Sequence, residues 1–240
     1  MNKVLELNNI SMSFGGVKAL NDVSFDVYEH EILGLIGPNG SGKSTCVNVI
    51  SGLYIHDSGD VIIEGENVNR KTIKERVQMG VSRTFQTPRP FVSMNVFDSV
   101  YTIFLQRYSK KDAADKTKSL LQIMGLDDLS ETLSEKLPIE KRKWLDLSRC
   151  LALDPKIIMM DEVMAGLNPT EMLESLELVR RIRDRGITVL FIEHVMKAVV
   201  NVCERVIVLN EGEVLCSGEP NEVLDRDDVI AAYIGGSTDA

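Results

Sequence analysis

Basic residues are not in excess: 27 Lys and Arg stand against 36 Asp and Glu, a net charge of −9. A protein whose bulk surface binds nucleic acid needs clustered Lys and Arg to displace counterions, so that class is excluded outside a local patch. No window of 18 or more residues escapes charge, and the start, Met1-Asn2-Lys3-Val4-Leu5-Glu6, has an acid at position 6 and no apolar core of signal-peptide length. The expectation is a cytosolic chain that does not itself cross a membrane. Cysteine is sparse, with Cys46, Cys150, Cys203 and Cys216 widely spaced and no C-x-x-C pair. That usage fits reduced, mostly buried thiols rather than disulfides or zinc. Heptad repeats and the composition of disorder are missing too. What remains is an ordinary globular chain of 240 residues, 44% hydrophobic and 26% charged, able to bury one large core or two smaller ones.

Residues 37 to 44 read Gly-Pro-Asn-Gly-Ser-Gly-Lys-Ser, directly after the apolar run Ile32-Leu33-Gly34-Leu35-Ile36. The pattern G-x-x-x-x-G-K-[ST] is a phosphate cradle: a buried strand ends, a glycine-rich loop turns without side-chain obstruction, and a helix begins. Backbone N–H groups and the positive helix end then converge on one anion. In this reading Gly37, Pro38, Asn39, Gly40, Ser41 and Gly42 wrap the phosphates of a nucleoside triphosphate. Lys43 meets the β- and γ-oxygens, the Ser44 hydroxyl ligates Mg²⁺, and Thr45 touches the α-phosphate.

Around this loop the pattern is one of strands alternating with helices. Residues 4–7, 23–27 and 32–36 are β-rich, 43–51 helical with Gly52 as its stop, 61–68 a hairpin turning at Glu64-Gly65-Glu66, and a short strand ends at Phe85. From Pro88 the character changes to a helical insert, with helices over 95–107 and 111–124 and a stop at Gly125. Residues 141–151 read helical and 156–160 as a buried strand. Asn168-Pro169 then opens a helix running to Gly186, with Asn as cap and Pro at the first position. A strand over 188–192 and a hairpin over 206–216 close the pattern. It implies a mainly parallel sheet with ligands at its carboxyl edge.

The chemistry gathers at strand ends. Asp161 and Glu162 follow a strand too apolar to face solvent; Asp161 would hold Mg²⁺ and Glu162 would polarise the attacking water as general base. An acid pair after a strand also occurs as a plain helix cap, and it is the phosphate loop that turns the pair toward catalysis. His194, beside Glu193, follows the strand over 188–192 and is placed to donate to a γ-phosphate, its competing role being that of a packed or surface histidine. Gln86, after Ser82-Arg83-Thr84-Phe85, has an amide oxygen able to reach Mg²⁺ or the water.

Phosphate loop, Gln86, helical insert, Asp161-Glu162, Ala165-Gly166-Leu167-Asn168 and His194, in this order, resemble the nucleotide-binding subunit of an ABC transporter over nearly the whole chain. The resemblance implies an α/β fold of the P-loop NTPase (ABC ATPase) kind with a RecA-like core, an N-terminal antiparallel β-subdomain and a helical subdomain. Residues 1–240 would form one such domain, with 1–86 and 153–240 as core and β-subdomain and 87–152 as helical subdomain. It implies ATP and Mg²⁺ as bound groups, with Ser44, Gln86 and Asp161 toward the metal and Glu162, His194 and Gln86 toward catalysis. Met12 to Leu20 is similar to the family's aromatic loop, which implies Phe14 stacking on adenine beside Val17; the alternative for Phe14 is a core phenylalanine. Asn168 would sit in the loop coupling two nucleotide sites across a dimer. The implied partners are integral-membrane permease subunits, a second ABC ATPase subunit of the same or a different kind and, indirectly, a periplasmic or extracellular solute-binding protein. Nucleic acid is not among them. The implied location is peripheral, on the cytoplasmic face of the cell membrane.

Arg83-Thr84-Phe85-Gln86, the run from Asp161 to Glu171 and Glu193-His194-Val195-Met196 look most like import ATPases of the branched-chain amino-acid type. One stretch departs from the family. Where its signature Leu-Ser-Gly-Gly-Gln belongs, this chain has Leu137-Pro138-Ile139-Glu140-Lys141. Pro138 has neither hydroxyl nor N–H, and Glu140 adds negative charge where the partner's γ-phosphate should dock. One lost donor to a developing oxyanion typically costs about 3–4 kcal/mol. The basic turn Lys141-Arg142-Lys143 offers replacement charge, or is ordinary surface. Two rival classes follow, a non-transport ABC ATPase and a regulatory subunit that binds ATP but scarcely hydrolyses it. A small-molecule kinase would leave Gln86, Asn168 and His194 unexplained.

Overall fold

The computed structural model describes residues 2–85, 91 and 93–235. β1 (Lys3–Phe14) and β2 (Val17–Tyr28) form a long antiparallel hairpin, paired from Lys3↔Tyr28 to Phe14↔Val17. Both strands exceed the short runs visible in the sequence, because each changes phase midway. Leu5 and Leu7 point inward, then Ile10 and Met12; on the partner Leu20 does so, then Val23, Phe25 and Val27. The phase slips where Asn9 (φ 54) and Asp22 (φ 57) bulge out of the ladder, and strict two-residue alternation is lost there. With β4 (Ser58–Ile63) and β5 (Glu66–Asn67) these strands make an antiparallel sheet of order β2-β1-β4-β5.

The second sheet runs β10-β9-β3-β8-β7-β6. It comprises β3 (Ile32–Ile36), β6 (Val81–Arg83), β7 (Ile157–Asp161), β8 (Thr188–Ile192), β9 (Arg205–Asn210) and β10 (Glu213–Gly218), and it is parallel apart from the β9–β10 hairpin. β3, β7 and β8 are buried at every residue, as parallel strands covered on both faces must be. Their side chains alternate between two cores. Leu33, Leu35, Ile157, Met159, Leu190 and Ile192 pack with the antiparallel sheet and with α1 (Lys43–Ser51). Ile36, Ile158, Met160, Val189 and Phe191 pack on the other side. That side is covered by α3 (Val96–Phe104), α4 (Lys110–Ile123), α5 (Ile139–Leu151), α6 (Pro169–Asp184) and α7 (Met196–Val202), with α8 (Pro220–Leu224) and α9 (Asp227–Gly235) beyond.

α2 (Ile73–Gln78) is a short helix that the apolar pattern does not announce; a capping box between Thr72 and Glu75 starts it. Its Arg76 is 2% exposed. The guanidinium donates to Val49 O (2.7 Å), Ile50 O (2.9 Å) and Val68 O (2.8 Å), supplying partners for the last carbonyls of α1. α5 begins two residues before the helix marked in the sequence, with Pro138 as its N-cap. Among the described residues no helix is long and apolar enough to cross a membrane.

Candidate active site

β3 delivers the phosphate loop, and backbone geometry explains its glycines. Gly37 has φ 148, and a Cβ there would stand 2.1 Å from Leu209 O; Gly42 has φ 104, and a Cβ would stand 2.7 Å from Ala19 O. Gly42 is also the N-cap of α1 and gives it no side-chain cap, so the first N–H groups of that helix are left for an external acceptor. Lys43 is 8% exposed. Its ammonium donates to the carbonyls of Gly37 (2.8 Å) and Pro38 (2.9 Å), which hold it under the loop. Burial lowers its pKa, and the charges of Glu162 and Asp161 pull it back up. Asn39, Gly40 and Ser44 are exposed along the rim and Thr45 is half-buried.

β7 brings the acid pair opposite. Asp161 is 7% exposed, its N–H donates to Thr84 Oγ1 (3.1 Å), and Oδ2 lies 3.4 Å from the Arg83 guanidinium. Burial raises the Asp161 pKa first of all, Arg83 opposes, Glu162 adds to the rise and Lys43 opposes. Asp161 is thus a carboxylate held largely out of water beside Arg83, and the donor set of Asp161 and the Ser44 hydroxyl is the hard oxygen chemistry that suits Mg²⁺. Among the described residues no group of three or more His, Cys, Asp or Glu could hold a metal by itself. An ion here would draw its remaining ligands from phosphate oxygens and water, as Mg²⁺ at nucleotides does.

Glu162 sits at φ 50, a left-handed conformation that costs a residue of its kind about 1–3 kcal/mol. Its N–H donates to Ile192 O (2.9 Å), one residue past the last β7–β8 pair, Asp161↔Ile192. This register brings the loops after β7 and β8 side by side, with His194 Nδ1 3.8 Å from Glu162 Oε1. His194 remains half exposed.

Phe14 stands at the far end of the β1–β2 hairpin, 45% exposed and edge-on to Tyr54 with ring centroids 5.4 Å apart. It is not a core phenylalanine. Val17 beside it is 71% exposed. Asn168 caps α6 as its sequence position foretold, accepting from Thr170 N–H and Glu171 N–H while Glu171 returns the bond in a capping box. Gln86 lies outside the described residues.

The divergent segment folds as a real helix start. Leu137 is buried, Ile139 is 53% exposed and Glu140 is 8% exposed. The basic turn is engaged within the chain. Lys141 lies 3.5 Å from the centroid of the Trp144 ring and against Glu140; Arg142 donates to the carbonyls of Leu137 and Glu135; Lys143 donates to those of Val163 and Ala165. Sequence patterns give no functional role to Arg83, Thr84 or Glu193, and they cast Lys143 as replacement charge for the signature rather than as a tie to the loop after β7. For the first two a signal existed, since both lie at the carboxyl end of β6, next to β7.

The family model described as ABC transporter matches residues 20–165. The chain is 33% identical to the high-affinity branched-chain amino acid transport ATP-binding protein LivG of Escherichia coli strain K12, over 97% of this chain and 98% of that one. It is 32% identical to the corresponding protein BraF of Pseudomonas aeruginosa, over 97% of this chain and 98% of that one. Among solved structures, the ADP conformation of an ATP-binding cassette of an ABC transporter superposes with a TM-score of 0.90 at 31% identity, covering 98% of this chain and 100% of that one.

Proposed function

Because the chain belongs to the ABC transporter family of ATPases, we propose that it is the ATP-hydrolysing subunit that drives uptake of branched-chain amino acids, or of a related small polar solute, through a separate membrane permease. The observation that carries the catalytic part is the Lys43 ammonium, fixed by the Gly37 and Pro38 carbonyls beneath an uncapped helix start, across from Asp161 and Glu162. ATP would lie with its phosphates over residues 37–45 and its base on Phe14, near Val17. Glu162 takes the proton of a water that attacks the γ-phosphorus, the bond to the bridging oxygen breaks, and ADP departs with the electron pair. Lys43 balances charge on the β- and γ-oxygens, and His194 donates to the γ-phosphate. Ser44, Asp161 and Gln86 would hold Mg²⁺, which supplies further charge neutralisation at those oxygens.

The test is Glu162→Gln. Turnover is expected to fall at least about 100-fold while ATP affinity is kept, since a general base acts only on the reacting water. Steady-state hydrolysis and equilibrium nucleotide binding read the two quantities separately, and a variant that hydrolyses at the normal rate removes Glu162 from its role.

The permease would dock in an apolar groove of about 220 Å³, where Leu53, Ile73, Val77, Phe85 and Leu153 of the core meet Cys150 from residues 87–152. The division into a core of 1–86 and 153–240 and a helical subdomain of 87–152 is part of this reading, with the docking groove at the seam. It puts the chain on the cytoplasmic face of the membrane, beside a second ATPase subunit, with a solute-binding protein acting from the other side. A second reading, a nucleotide-gated subunit with weak turnover, is favoured by one observation: Lys141, Arg142 and Lys143 are all bound within the chain, which leaves less of their charge to stand in for the missing signature serine.

A further inference from the structure

Glu162 holds a left-handed conformation, and such a residue persists only where its surroundings over-determine it. Those surroundings are unusually explicit. Glu162 N–H donates to Ile192 O, and Ala165 N–H donates to Glu162 O (3.3 Å). Met164 N–H donates to Glu193 Oε1 (2.8 Å). From α5, the Lys143 ammonium donates to Val163 O (3.1 Å) and to Ala165 O. Residues 162–165 are therefore tied one after another, and three of the ties come from two ionisable side chains, Glu193 and Lys143.

Neither side chain is what packing alone would select. Glu193 is 0% exposed and its Oε2 has no hydrogen-bond partner among the described residues, so a carboxyl has been taken out of water with one oxygen left unsatisfied. Lys143 is only partly exposed, and its charge is spent on two carbonyls in the loop. The two groups are complementary. The carboxyl accepts from the N–H at the middle of the loop, and the ammonium donates to the carbonyls on either side of it.

We propose that Glu193 and Lys143 are positioning residues for ATP hydrolysis, a two-sided clamp on residues 163–165 that aims the Glu162 carboxylate at the attacking water. Neither touches substrate. The clamp joins α5, the loop after β7 and the residue preceding His194, so the groups on the two strand ends are set by one device. Burial and the charge of Glu162 both raise the pKa of Glu193, with Lys143 opposing, which agrees with a carboxyl chosen for its acceptor rather than for its charge. The inference rests on Glu162 being the base.

The experiment is ATP hydrolysis by the full chain with paired substitutions. Glu193→Gln keeps an oxygen for Met164 N–H and Glu193→Ala does not; Lys143→Arg keeps a donor and Lys143→Met does not. Expected for Glu193→Ala and Lys143→Met is a loss of kcat of about tenfold or more with KM and Kd for ATP within about twofold, while Glu193→Gln and Lys143→Arg retain at least about a third of turnover. A role in folding alone would lower kcat and ATP binding together and would not separate the two. Should Glu193→Ala not yield a folded chain, Lys143→Met decides on the same readouts. Full turnover in Glu193→Ala, loss of ATP binding in step with kcat, or equal damage from Gln and Ala would overturn the clamp. Glu162→Gln in the same assay separates the two ideas. If it is inactive while Glu193→Ala runs at full rate, the clamp alone falls; if it turns over normally, the base is lost and the clamp with it.

Discussion

A carboxyl buried at Glu193 leaves a mark on stability as well as on catalysis. Burial is the main force pushing its pKa from an ordinary 4.5 up to about 7, helped by Glu162 and opposed by the N–H groups of Met164 and His194 and by Lys143. Between these two values the folded chain keeps a proton that the unfolded chain has released, so stability falls as pH climbs through the window. Glu193→Gln cannot ionise and escapes the loss. In thermal or denaturant unfolding its advantage over the parent chain is expected to grow from pH 5 to pH 8, toward the order of 3 kcal/mol. A gap that stays constant with pH would show that the carboxyl titrates normally. Cys46 displays the same physics without a partner: burial alone pushes its thiol up to about 12, which keeps it inert beneath the phosphate loop.

At the scale of elements, α1 carries at its start the loop proposed to bind the phosphates, so the anchoring of its far end bears on that loop. Its far end depends on Arg76, whose buried guanidinium bonds to Val49 O and Ile50 O. Arg76→Met strands those carbonyls, and a loss of about 3 kcal/mol or more is expected in chemical denaturation; a change within 1 kcal/mol would mean that water replaces the guanidinium. None of this was readable beforehand. An arginine in a six-residue helix looks like surface, and only the tertiary fold brings it under α1. Other parts were legible for equally physical reasons. β3, β7 and β8 are apolar at nearly every residue because both faces are covered, and the glycines of the phosphate loop answer to backbone atoms of β9 and β2. The lengths of β1 and β2 were hidden by Asn9 and Asp22, which reset the alternation. In the site, Lys43 announced itself within the glycine-rich loop pattern and Asp161 and Glu162 by standing at a strand end, whereas Glu193 was masked by its type, since charged residues default to solvent, and Lys143 showed only as part of a basic turn.

For the whole molecule, the divergent helix start bears on the proposed pairing with a second ATPase subunit. If two identical chains faced each other, both composite sites would meet Pro138, Ile139 and Glu140 instead of a serine and glycines. The expectation is that the isolated chain hydrolyses ATP at least about tenfold more slowly than the same chain mixed with an ATPase subunit whose signature is intact, in line with the cost of one missing oxyanion donor. Steady-state turnover of the two preparations checks this, and equal rates would count against unequal pairing.

The helix that carries the altered segment has two duties, and the structure keeps them apart. Its N-terminal tip, with Ile139 turned outward, faces whatever lies beyond the chain, while one turn later Lys143 reaches back to the loop behind Glu162. Arg142 secures the tip through the carbonyls of Leu137 and Glu135 whatever side chains are displayed there. A substitution at the exposed Ile139 can therefore change what the tip presents while the Lys143 hold on the loop behind Glu162 is kept.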